Sequence, residues 1–147
     1  MSVALTRLPD PIHAPDFYES VTVKRALSWI IDVTLVAILC VLLLPFTAFL
    51  GLLVFPAMML AVGALYRWIT ISARSGTWGM RLMGIELRNA DGDRLSSDQA
   101  FMHTALYIGA VLVAPLQLIS VILMLTTPRG QSLSDMILGT AMLNRAV

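Results

Sequence analysis

Charge is scarce in this chain. Of its 147 residues only 13% are Asp, Glu, Lys or Arg, against 58% hydrophobic. A soluble domain carries about a quarter charged residues, so the deficit argues against an ordinary water-soluble domain and for an integral membrane protein. The net charge is +1 with no basic arm or stripe, so nucleic acid is not an expected partner. The single cysteine, Cys40, lies inside an apolar run. It cannot form an intrachain disulfide and suits a small packed or lipid-facing position. The two histidines, His13 and His103, are far apart, and there is no CxxC, GxGxxG or P-loop, so no metal or cofactor is expected. Ser, His and Asp occur without spacing that links them into a hydrolase or transferase constellation. The expectation is that the protein is not an enzyme. The N-terminal MSVALTRLPDPIHAPDFYES has too short an apolar core for a signal peptide, broken by Arg7, Pro9 and Pro11. The first hydrophobic run is therefore expected to stay as a membrane helix.

What is present is long apolar sequence. The proline-rich residues 1–21 form a polar arm that should be extended, with Phe17 and Tyr18 at headgroup level. Residues 22–147 form the membrane domain. Val33 to Tyr66 contains no charged residue, too long for one span and suited to the rest of one helix, a tight turn and a second helix. Pro45 is the expected break, which places helices at about 22–44 and 46–71, the second kinked at Pro56. In that helix the small residues Ala57, Ala61 and Ala64 follow helical spacing and suit either close helix approach or lipid contact. Residues 67–98 mix Arg and Asp. Within them Trp78, Met80, Leu82 and Met83 suit the membrane surface beside Arg81, Ile85–Arg88 alternates like a short strand, and Asn89–Gly92 reads as a turn. Ser96 and Gln99 form a capping box. Gln99 to Pro128 again lacks Asp, Glu, Lys and Arg and predicts a third helix at about 101–126. It is either one span kinked at Pro115 or a re-entrant hairpin bent there. The fold class is thus an all-α membrane protein of three transmembrane helices with a short cytoplasmic strand and turn. Lys24, Arg25, Arg67, Arg74 and Arg81 flank the first two helices and none lies between them, so the N-terminus and residues 67–98 are expected in the cytoplasm. Three spans would put the tail outside; a re-entrant third segment would keep it inside.

The candidate site residues are the charges that this pattern does not explain. Arg25 and Asp32 stand seven residues apart on one helix face, about 10 Å apart along its axis. Arg25 can snorkel beside Lys24, with Trp29 in the interfacial belt. Asp32 is too short for that, so it needs other helices, a polar cavity or a cation around it. Ser28, one turn earlier, can share its hydrogen bonding. Asp135 stands in the otherwise apolar Leu133–Thr140 segment. It suits a helix N-cap or first turn, or a pairing with an arginine.

Arg25-x6-Asp32, the run Gly76-Thr77-Trp78-Gly79-Met80-Arg81-Leu82-Met83-Gly84-Ile85, then Asp91-Gly92, then Ser134-Asp135-x3-Gly139-Thr140 resemble the RDD family of small bacterial integral membrane proteins. The resemblance covers about residues 24 to 143 and implies that Arg25, Asp32 and Asp135 are the name-giving charges. His103 stands where the family often has an arginine, and Ser134 where it often has a histidine. Ser28, His103 and Arg81 are the supporting polar candidates. The resemblance implies a transport or accessory role at the bacterial cytoplasmic (inner) membrane, some members being linked to sodium–proton exchange. The reading preferred here is a non-catalytic accessory, assembly or scaffolding subunit packed against a larger membrane complex. The alternative is a small cation/proton antiporter or other transporter using Asp32. Expected partners are the lipid bilayer and other integral membrane subunits or further copies of the chain. The tail should fold back toward the first helix, bringing Arg25 to at least one aspartate.

Overall fold

A computed structural model describes residues 7–145. Two long helices dominate: α1 (Val21–Leu43) and α2 (Phe55–Arg74). At 1.5 Å per residue each reaches about 30 Å or more, the thickness of a bilayer's hydrocarbon core. Both are long and apolar enough to cross a membrane. Their surfaces are inverted relative to a soluble bundle: Leu42, Phe46, Leu53 and Leu65 are exposed, as lipid contact requires.

α1 ends where Pro45 enters a 3-10 turn, Leu44–Thr47, and a second such turn, Leu50–Leu52, leads into α2. The second helix therefore starts at Phe55 rather than near residue 46. Pro56 lies in its first turn, where the missing N–H costs nothing, and so it starts the helix instead of kinking it. Ala57 and Ala61 are exposed; the close approach of α1 and α2 is at Gly63, opposite Val36.

α3 (Trp78–Leu82) and β1 (Ile85–Arg88) follow, and then α4 (Ser97–Leu112) and α5 (Ala114–Thr126). The segment expected as one helix at 101–126 is thus two, starting at Ser97 and meeting at a 117° bend. Val113 leaves helical geometry, and Pro115 sits in the first turn of α5. The pair returns to the end from which it came. Ser97 O, at the start of α4, accepts from Trp68 Nε1 near the end of α2 at 3.3 Å. Met124 O, near the end of α5, accepts from Thr22 Oγ1 at the start of α1 at 3.1 Å.

The tail forms α6 (Leu133–Leu138) and β2 (Ala141–Asn144). β2 pairs antiparallel with β1, Leu87 opposite Met142, so the molecule is mostly helical rather than all-α. Val21, Ile71, Met80, Ile85, Leu87, Leu95, Ala100 and Met142 form a dry core under this cap. Phe17 and Tyr18, expected at headgroup level, pack on a satellite cluster of Leu8, Ala141 and Leu143. The described part of the arm, from residue 7, includes a short 3-10 turn, Pro15–Phe17. Both hydrophobic clusters lie at one end of the bundle, where the charged candidates gather.

Candidate functional site

α6 opens with a capping box. Ser132 Oγ accepts from Asp135 N, and the Asp135 carboxylate accepts from Ser132 N. That fixes Asp135 in the first turn and aims it at the bundle. Its Oδ2 accepts from Arg25 Nη1 at 2.6 Å and from Ser132 N at 3.1 Å. Its Oδ1 accepts from Thr140 Oγ1 at 2.7 Å and lies 2.7 Å from His103 Nε2. The carboxylate is fully buried, and Arg25 is 11% exposed. A carboxylate offers about four lone-pair sites; Asp135 fills them with four donors. Burial alone would raise its pKa, but the Arg25 charge and the His103 hydrogen bond hold it well below the usual carboxylate range. Both expectations for Asp135 hold together: it is a first-turn acid and an arginine's partner.

His103 extends the cluster. Its Nδ1 lies 3.4 Å from Arg67 Nη2. A guanidinium only donates, so Nδ1 accepts and Nε2 carries the proton toward Asp135. The ring is then a neutral bridge from Arg67 on α2 to Asp135 on α6. Arg67 also lies over the Tyr107 ring, 4.3 Å from its centre, and its Nε has no partner among the described residues. From the sequence Arg67 is a flanking positive charge, but it is followed by Trp68, Ile69 and Ile71 before Arg74 ends α2, so it stands within the apolar helix rather than beyond it.

Asp32 is not in this cluster. Its Oδ1 accepts from Tyr66 OH at 2.7 Å and Gly79 N at 2.9 Å, and its Oδ2 from Thr77 Oγ1 at 2.6 Å. It thus receives the start of α3 and ties α1 to α2 with neutral donors. Ser28 does not share this bonding; its hydroxyl turns back to Arg25 O at 2.8 Å. Instead the Ser28 carbonyl borders α3 so closely that a Cβ on Gly79 would stand 2.4 Å from it. This explains a glycine at position 79. Arg81 lies apart from both clusters, beside Arg74 and Arg145.

Beside the Asp32 cluster, and reaching deeper into the bundle, is a cavity of about 600 Å³ among α1, α2, α4 and α5. Its walls are mainly apolar, with Asp32, Tyr66, Arg67, Thr77, Tyr107 and Gln117 contributing the polar groups. Trp29 Nε1 donates to Tyr107 OH at 2.8 Å across one side. Three donors leave the Asp32 carboxylate one acceptor direction beyond those it uses. No group of three or more His, Cys, Asp or Glu able to hold a metal occurs among the described residues.

Apolar helices with lipid-compatible surfaces, and a buried Arg–Asp pair joining first helix to tail, define a small polytopic membrane protein. The RDD family model matches residues 20–139; the chain belongs to the RDD family. No curated protein and no solved structure matches it.

Proposed function

We propose that this is a non-catalytic accessory or assembly protein of the bacterial cytoplasmic membrane. Its spans are α1 and α2; the α4–α5 pair enters and returns on one side. The N-terminal arm, the cap and the tail then share the cytoplasmic face. The positive-inside rule supports this orientation. Lys24, Arg25, Arg67, Arg74 and Arg81 lie at or near the cap, and residues 44–54 between the spans carry no charge.

The observation that carries the reading is the saturation of Asp135. Its four donors come from α1, α4, the capping box of α6 and the residue before β2. A carboxylate so committed is a structural tie, because releasing it would leave Arg25 and His103 buried without an acceptor. The architecture supports a rigid bundle that presents fixed lipid-level faces to a larger complex or to further copies of itself.

Transport is the second reading. It is favoured by the cavity and by the spare acceptor direction of Asp32 within it. Reconstitution of the purified chain into vesicles loaded with a pH-sensitive dye separates the two. The accessory reading expects no sodium-dependent proton flux. Flux that disappears in Asp32→Asn, with the fold retained, would replace it with the antiporter reading. Mild-detergent purification with identification of co-purifying chains then names the complex.

A further inference from the structure

A second cavity, of about 80 Å³, lies under the cap at the end of α2. It is lined by Arg74, Arg81, Arg94 and Arg145 with Ile85 and Glu86. Four like charges converge there on one carboxylate, and that carboxylate is already engaged. Glu86 Oε1 accepts from Arg88 Nε at 3.0 Å and also from Arg88 Nη2, while its Oε2 lies 3.9 Å from Arg94 Nε. Arg74, Arg81 and Arg145 have no acidic partner within ion-pair distance among the described residues. The Arg81 Nε is buried and has no hydrogen-bond partner among the described residues. Burial, followed by the charge of Arg74, and to a smaller extent that of Arg145, weighs against the charged form of Arg81. An arginine cannot relieve this by losing its proton at neutral pH, so the cavity stays electropositive and suits a bound anion.

The backbone holds the arginines in place. Arg145 N donates to Gly84 O at 2.8 Å, just beyond β2. Arg74 is the last residue of α2, where the helix C-terminus favours a cation. The cavity therefore sits at the end of a candidate membrane span. Next to it, α3 carries Trp78 and Leu82, 57% and 71% exposed. They are four residues apart, on one helix face. Exposed tryptophan and leucine beside arginine suit the headgroup and upper acyl region of a bilayer.

We propose that this cavity binds the phosphate of an anionic phospholipid, with Arg74, Arg81 and Arg145 as its ligands and Trp78 and Leu82 seated in the lipid beside it. Guanidinium groups match phosphate oxygens with paired donors. The volume suits a headgroup phosphate and excludes an acyl chain, which would stay in the bilayer. The site is separate from the Arg25–Asp135 cluster and does not depend on the accessory reading.

The test uses the full chain in nanodiscs of mixed phosphatidylglycerol and phosphatidylcholine, with retained lipid read by native mass spectrometry. The wild-type chain is expected to retain phosphatidylglycerol preferentially. Arg74→Gln and Arg145→Gln, both exposed positions, should each lower that preference about fivefold, as about 1 kcal/mol per surface arginine implies. Arg7→Gln removes one positive charge outside the cavity and should leave the preference unchanged. An equal loss in Arg7→Gln would overturn the proposal in favour of diffuse surface charge. Inorganic phosphate, added to phosphatidylcholine nanodiscs, should not raise the melting temperature as far as phosphatidylglycerol does. If it does, the cavity is a soluble-anion site and the lipid assignment fails.

Discussion

Replacing Arg25 with glutamine should detach the tail. Among the described residues the Arg25 guanidinium is the only formal cation bonded to Asp135, a side chain with no exposure; His103 meets it as a neutral donor. Removing one member of a buried pair leaves an uncompensated charge and costs about 3–5 kcal/mol. The loss should be local first. α6 is six residues long and β2 four, and elements so short depend on tertiary contacts. In Arg25→Gln, the β2 amides should exchange with solvent much faster than those of α1 and α2. Asp135→Asn alone should also destabilise, since its amide nitrogen meets donors on either side: Arg25 and Ser132 N on one, the His103 Nε2 proton on the other. In the double variant, glutamine can accept from the asparagine amide, so the two costs should not add. A coupling of about 2–3 kcal/mol is expected, at the upper end for residues in contact. The assay is a denaturant titration in detergent, followed by tryptophan fluorescence, on wild type, both single variants and the double. Costs that add within about 0.5 kcal/mol, or wild-type exchange of β2 in Arg25→Gln, would refute the tie.

Three further outcomes follow from the same contacts. Gly79→Ala places a methyl 2.4 Å from Ser28 O and 2.7 Å from Asp32 Oδ1, so α3 must shift away from α1, at a cost of about 1–3 kcal/mol; an unchanged melting temperature would show that the α1–α3 contact is looser than described. Asp32→Asn retains an acceptor for Tyr66 and Gly79, and the Thr77 hydroxyl can rotate, so it should cost about 1 kcal/mol or less, whereas Asp32→Ala strands three donors and should cost several times more; equal losses would mean that charge, not hydrogen bonding, holds this site. The depressed pKa of Asp135 gives a pH dependence of fixed sign: its stabilisation is complete above the unfolded carboxyl value of about 3.9 and is lost as pH falls through the lower folded value. The difference in melting temperature between wild type and Asp135→Asn should thus stay constant above about pH 5 and shrink only in stronger acid; shrinkage on going from about pH 8 to 6 would contradict it.

The helices were legible because their signal is local. α1 was expected at 22–44 and is Val21–Leu43; the capping box at Ser96 and the strand at Ile85–Arg88 also lie where the residues placed them. The start of α2 was misplaced because Pro45 was read as a single break. Two successive 3-10 turns, with Ala48 and Phe49 at positive φ, separate the helices instead. β2 was not legible, since a four-residue strand has meaning only once β1 is beside it. The first-turn place of Asp135 was legible in the sequence; its partner in the capping box, Ser132, stands at the same three-residue spacing as Ser96 and Gln99.

The least legible point was how the three charges Arg25, Asp32 and Asp135 divide their work. Seven-residue spacing puts Arg25 and Asp32 on one face of α1, and a shared face suggests a shared site. They lie about two turns apart along the axis, and at that distance each meets a different neighbour. Arg25, near the helix start, reaches the returning tail. Asp32, deeper, meets the start of α3, where Tyr66, Thr77 and Gly79 supply neutral donors. His103 and Arg67, the first an apparent departure from the family pattern and the second an apparent flank, complete the Asp135 cluster by passing one proton-ordered ring between a cation and an anion. Sequence periodicity identifies which side chains face inward; it carries no information about depth-matched partners from segments that are over a hundred residues away. Arg25 and Asp135 thus make one joint, fastening the tail to α1, and Asp32 makes another, fastening α3 to α1; the roughly 600 Å³ cavity opens beside the second.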